Sequence, residues 1–190
     1  MKLSAVLLAG GESRRMGQDK ATLLFEGEPL WQIQLNRLRR LNPLEILVSA
    51  RTDPLWRPPD IEFVPDLPPS RGPLSGLTAS LSAMRGTHLL ALAVDMPWMN
   101  ESCLNALCRQ IGPSRGLLPM IETRAEPLAA VYPREAFPDL TAALCGNDFS
   151  LQRIATQLVR AGRLRVIPVT KQEERFYRSL NEPADVARSQ

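Results

Sequence analysis

Residues 2–9 form a continuous apolar run, Lys2-Leu3-Ser4-Ala5-Val6-Leu7-Leu8-Ala9, that stops at Gly10-Gly11. A short run with no polar alternation reads as a strand buried on both faces, and such strands sit inside parallel sheets covered by helices on either side. The chain is therefore expected to be α/β. The pattern that follows agrees. Leu30, Ile33, Leu35, Leu38 and Leu41 recur at helical spacing behind Pro29, predicting a helix over residues 29–41. Strands are expected at residues 45–49 and 61–64, a helix at about 74–84, and an apolar strand at 88–94 that ends at Asp95.

The second half is less regular. Helices are expected near residues 101–110, 135–144 and 151–160, strands near 115–121, 127–132 and 163–169, and a short terminal helix from Pro183. Strands and helices alternating at this pace imply crossover units and a three-layer sandwich around a mostly parallel, twisted sheet. Pro-rich stretches at residues 56–60 and 67–73 read as surface loops, because apolar strand patterns resume after each.

At 190 residues the chain is expected to form one domain, residues 1–190. The charge excess of +3 is small and its Arg residues are scattered, so neither nucleic acid nor a membrane is expected as a partner. The opening apolar run is too short to span a bilayer and no cleavage pattern follows it, which points to the cytoplasm. Cys103, Cys108 and Cys145 make no CxxC pair, and with His88 as the one histidine a zinc site lacks ligands. The cysteines are expected to be reduced, partly buried thiols. Lys occurs only three times against a large excess of Arg, so a Lys inside a motif carries information.

Ligands of open parallel sheets bind beyond the carboxyl ends of the strands. The loop at that end of the first strand reads Leu8-Ala9-Gly10-Gly11-Glu12-Ser13-Arg14-Arg15-Met16-Gly17-Gln18-Asp19-Lys20. Adjacent glycines let backbone N–H groups approach an anion closely, and Arg14, Arg15 and Lys20 in one connection repel each other unless an anion neutralises them. The loop is neither a Walker A motif nor GxGxxG. Asp95 closes the most apolar strand and is followed by Met96-Pro97. It stands several residues before the next helix, for which Asn100 or Ser102 is the better N-cap.

The string from Leu8 to Ala21 resembles the signature of the molybdenum cofactor guanylyltransferases, the MobA family of nucleotidyltransferases. The likeness continues at Val64-Pro65-Asp66, Gly72-Pro73-Leu74-Ser75-Gly76, Val94-Asp95-Met96-Pro97, Glu126-Pro127-Leu128 and Leu180-Asn181-Glu182-Pro183-Ala184-Asp185, in the family's order and over nearly the whole chain. The resemblance implies a Rossmann-like nucleotidyltransferase fold and transfer of GMP from GTP to the terminal phosphate of molybdopterin, with release of pyrophosphate. It implies that Leu8, Ala9, Gly10, Gly11, Ser13, Lys20, Asp66 and Asp95 bind GTP, that Arg15, Lys20 and Asp95 carry the reaction, and that Asp95 ligates Mg²⁺. For molybdopterin it implies Ser150, Arg153 and Asn181, and as further partners molybdoenzyme apoproteins or their chaperones.

Three points stay open in the sequence. Asp66 also suits an ordinary turn before Pro68-Pro69, and Asn181 before Glu182-Pro183 also suits a helix N-cap. Relatives often carry Asn where this chain has Ser49, and Arg where it has Phe149. Finally, the same fold serves other nucleotides such as CTP, other phosphorylated acceptors, and non-catalytic nucleotide-binding proteins that deliver cofactor.

Overall fold

The computed structural model describes residues 2–10 and 19–180. In chain order these hold β1 (Leu3–Leu8), β2 (Leu24–Phe25), β3 (Glu28–Pro29), α1 (Leu30–Arg40), β4 (Glu45–Ala50), β5 (Glu62–Pro65), α2 (Pro73–Ala83) and β6 (His88–Ala93). After them come α3 (Glu101–Cys108), β7 (Gly116–Ile121), β8 (Arg124–Ala125), β9 (Ala129–Pro133), α4 (Phe137–Leu144), α5 (Leu151–Arg160) and β10 (Leu164–Pro168). Short 3-10 turns occupy Lys20–Thr22, Arg134–Ala136 and Glu174–Tyr177.

The main sheet runs in the order β10-β7-β9-β6-β1-β4-β5, with β8 added beside β7. β1 lies in its interior and pairs in parallel with both β4 and β6. β9 runs antiparallel between β6 and β7, so β7 and β10 point the same way as the parallel block. All the carboxyl ends of that block therefore open on one edge.

Alternate residues of each central strand feed opposite cores. Ala5 and Leu7 of β1, with Leu90 and Leu92 of β6, pack against Leu30, Leu35 and Leu38 of α1 and Leu104 of α3. Val6, Leu8, Leu89 and Ala91 pack the other way, against Leu74, Leu77 and Leu81 of α2, Leu140 of α4, and Ile154 and Leu158 of α5. This two-sided burial is why the first strand lacks polar alternation, and it makes the molecule the three-layer sandwich expected.

Most elements lie where the sequence places them, within a residue or two. The helix expected from residue 135 begins instead at Phe137, behind the 3-10 turn Arg134–Ala136, and Pro138 then falls in its first turn, where a missing N–H costs nothing. The β2–β3 hairpin was not expected. It turns through Glu26 (φ 52°) and Gly27 (φ 84°), two consecutive left-handed residues that match the twist of a tight hairpin. The terminal helix expected from Pro183 lies outside the described residues. Cys103 and Cys108 are partly buried, and burial pushes the Cys108 thiol up to about 11, whereas Cys145 is exposed.

His88 starts β6 in mid-sheet and is 2% exposed. Its Nδ1 lies 3.0 Å from the Thr87 hydroxyl, and its Nε2 is buried without a hydrogen-bond partner. Burial lowers its pKa below 6.5, with the Arg115 backbone and then the Glu135 carboxylate opposing. The unfolded chain thus binds this proton more readily than the folded one, so folding stability is full above pH 6.5 and falls as the pH drops toward the lowered value. Denaturant melts between pH 7.5 and 5 are expected to show this loss, and His88→Gln to reduce it.

Candidate active site at the carboxyl edge of the sheet

Leu8, Ala9 and Gly10 leave β1 at the carboxyl edge and form one wall of a cleft, with Asp19, Lys20, Pro73, Ala93, Val94, Asp95 and Leu128 completing it. The backbone carries the wall across three strands. The Ala9 N–H donates to the Ser49 carbonyl at 2.8 Å, and the Val94 N–H donates to the Leu8 carbonyl at 3.1 Å.

Lys20 and Asp95, separated by 75 residues, meet in this cleft. The Lys20 Nζ lies 3.0 Å from Asp95 Oδ2 and also donates to the Leu180 carbonyl at 2.9 Å. Leu180 is fully buried, and its own N–H donates to the Asp95 carbonyl at 2.8 Å. The end of the described chain thus returns to brace both charged residues. Side-chain exposures of 23% and 21% leave the pair open to a ligand while removing much of the solvent screening.

The turn that presents Lys20 is itself fixed. Asp19 Oδ1 accepts from the Ala21 N–H at 3.0 Å, capping the 3-10 turn, while Asp19 Oδ2 accepts from the Trp56 indole Nε1 at 3.0 Å. Trp56 in turn stacks on Trp31 of α1, with centroids 5.4 Å apart. The sequence gives no local sign of this brace, because its partners lie 37 residues apart.

Asp66 follows β5 and lies beside the same wall. It accepts from Ser49 Oγ at 3.3 Å and Ser70 Oγ at 3.1 Å, a setting more specific than a simple turn. Two glycines make room for it: a Cβ on Gly10 would come 3.1 Å from Asp66 Oδ2, and one on Gly76 would come 2.9 Å from Asp66 Oδ1 and 2.8 Å from Ser49 Oγ. Gly76→Ala should therefore displace Asp66 and destabilise the fold by about 1–3 kcal/mol, the range typical of overpacking. Chemical denaturation of the variant checks this.

The expected acceptor residues are placed differently. Ser150 is the N-cap residue of α5 but makes no side-chain cap bond. Arg153 is exposed and paired with Asp148 at 2.7 Å. The Ser150 N–H and Arg153 together hold the Asp148 carboxyl below its usual range. Neither Ser150 nor Arg153 lines the cleft. Glu126 precedes the cleft-lining Leu128, and desolvation raises its pKa against the opposing Arg124 charge. Gly11, Ser13, Arg14 and Arg15 of the loop, and Asn181, lie outside the described residues.

A glycine at the end of a central parallel strand, with a lysine and a carboxylate meeting in the cleft beside it, fits a nucleotide-binding α/β protein. The match to known proteins narrows this. The model of the MobA-like NTP transferase domain family covers residues 5–175, and the chain belongs to that family. It is 35% identical over 186 residues to a probable molybdenum cofactor guanylyltransferase of Opitutus terrae, spanning 96% of this chain and 92% of the relative.

Solved structures share the fold. Molybdopterin-guanine dinucleotide biosynthesis protein A from Archaeoglobus fulgidus superposes with a TM-score of 0.76 at 23% identity, over 100% of this chain and 96% of that one. A 4-diphosphocytidyl-2C-methyl-D-erythritol synthase from Anaerococcus prevotii superposes at 0.73 with 11% identity, over 99% of this chain and 96% of that one. The architecture is thus common to proteins named for different products.

Proposed function

We propose that this protein transfers GMP from GTP to the terminal phosphate of molybdopterin, giving the guanine dinucleotide form of the cofactor and pyrophosphate. The observation that carries this reading is the Lys20–Asp95 pair, 3.0 Å apart in a cleft walled by the first-strand loop. The probable molybdenum cofactor guanylyltransferase of Opitutus terrae, matched over 92% of its length, supports the choice of nucleotide and acceptor.

In the reaction an oxygen of the acceptor phosphate forms a bond to the α-phosphorus of GTP, the bond from the α-phosphorus to the bridging oxygen breaks, and pyrophosphate leaves. A phosphate monoester has a second pKa of about 6 and is mostly dianionic at neutral pH, so it needs no general base. The protein's work is to position two anions and offset their repulsion. Gly10, with no Cβ, lets the phosphates approach the wall closely, Lys20 supplies a compact cation beside them, and Asp66 accepts from guanine N–H donors.

Asp95 would hold Mg²⁺. Among the described residues no three His, Cys, Asp or Glu side chains gather as a metal cage. Mg²⁺ does not require one, since it commonly keeps waters and takes one or two carboxylates with substrate phosphates; a part-exposed carboxylate beside a phosphate loop fits that habit. When bound, the ion neutralises charge on the triphosphate. Asp95 and Lys20 orient that assembly from one side, and the Leu180 carbonyl keeps the Lys20 amine in place.

The reading extends to a cytoplasmic enzyme that passes its product to molybdoenzyme apoproteins or their chaperones. Among the described residues no helix is long and apolar enough to cross a membrane. The test is incubation with Mg²⁺, GTP or CTP, and molybdopterin or a sugar phosphate. Pyrophosphate release with GTP and molybdopterin alone supports the reading; release with another pair, or GTP binding with no release, replaces it.

A further inference from the structure

Arg71 stands two residues before Pro73, which lines the cleft. Its guanidinium carbon lies 4.4 Å from the centroid of the Phe149 ring, and no carboxylate among the described residues pairs with it. Phe149 packs on the core beneath α2 and α5 and directly precedes the Ser150 that begins α5. Two residues on, Gln152 clasps the backbone of Ala125 with bonds of 2.9 and 2.7 Å, fixing this loop beside β8 at the carboxyl edge. The stack therefore ties the loop before α2, which leads into Pro73 of the cleft wall, to the loop before α5.

From this we infer that Arg71, held by Phe149, binds the attacking phosphate of the acceptor. The inference rests on the guanylyltransferase reading and assigns a residue to its acceptor side. Three features support it. Stacking uses the π face of the guanidinium and leaves its in-plane N–H donors open, which suits a phosphate. Arg153, the other guanidinium at this loop, is already occupied by Asp148. Most telling is the layering: Ala21 beside Lys20 and Leu180, which braces it, belong to the core under α1 and α3, whereas Phe149 belongs to the opposite core. Phosphoryl-type transfer requires attacking and leaving oxygens roughly in line, so a cation on each side of the α-phosphorus is the arrangement the reaction needs.

Steady-state transfer by wild type, Arg71→Ala, Arg71→Lys and Phe149→Leu, with molybdopterin and GTP varied in turn, tests the assignment. Loss of a charge-assisted contact should raise the acceptor KM of Arg71→Ala about tenfold or more while GTP affinity, read by direct titration, stays unchanged. Arg71→Lys should recover part of the loss. Phe149→Leu should raise the acceptor KM about threefold, because the guanidinium remains but is no longer held. An unchanged acceptor KM in Arg71→Ala, or a rise confined to GTP, overturns the inference. Wild-type protein that forms no dinucleotide from molybdopterin overturns the guanylyltransferase reading, and this assignment with it.

Discussion

Asp95→Ala is expected to fold normally and to lose guanylyl transfer by about 10²-fold or more, the usual cost of removing one preorganised contact to developing charge. Its carboxylate is only about one-fifth exposed and accepts from Lys20, so the substitution removes the acidic partner and leaves the amine, among the described residues, on the Leu180 carbonyl. Asp95→Asn separates charge from shape, since the amide keeps the size and an acceptor oxygen but is a poor Mg²⁺ ligand. Both variants should need far more Mg²⁺ for half-maximal rate, with far-UV circular dichroism unchanged. Activity near wild type in Asp95→Ala, or an unaltered Mg²⁺ titration, removes Asp95 from the reaction.

Lys20→Ala should cost a comparable factor, about 10²-fold or more in kcat/KM, by a different route. The amine is held by the Asp95 carboxylate and the Leu180 carbonyl, and the Asp19 cap fixes the turn that carries it, so its charge is aimed before substrate arrives. Such aiming is what makes a cation effective against a leaving pyrophosphate. Lys20→Arg should rescue poorly, because a planar fork cannot take the place of a compact ammonium between a carboxylate and a carbonyl. The Mg²⁺ titration midpoint should move less than in the Asp95 variants. Equal shifts in both would mean that the two side chains act as one unit.

Much of the fold could be read from residue patterns because its elements are long and carry one-sided or two-sided apolar runs. Residues 151–160 were expected as a helix and form one with those bounds, since Ile154, Ala155 and Leu158 supply a clear buried stripe. β1 and β6 were visible for the opposite reason, burial on both faces. Two-residue strands such as β2 and β8 are too short to show any period. The Glu26-Gly27 turn carries a glycine, but Glu at its first left-handed position is not the Asn or Asp that marks such a hairpin in a sequence.

The site divides the same way. Lys20 and Asp95 stood out through local context: a rare lysine in a phosphate-type loop, and a carboxylate at the end of the most apolar strand. The groups that hold them did not. The Leu180 carbonyl reaches Lys20 across 160 residues, Trp56 reaches Asp19 across 37, and Arg71 finds Phe149 from another loop altogether. A backbone carbonyl has no residue identity to read, and a tertiary contact leaves no spacing in the chain.

A crystal of this protein soaked with GTP and Mg²⁺ tests the central claim most directly. The account predicts the triphosphate against Gly10 and the Lys20 amine, the metal about 2.0–2.1 Å from an Asp95 oxygen, and guanine toward Asp66. Nucleotide bound elsewhere on the molecule, or in this cleft with its metal held away from Asp95, would contradict it.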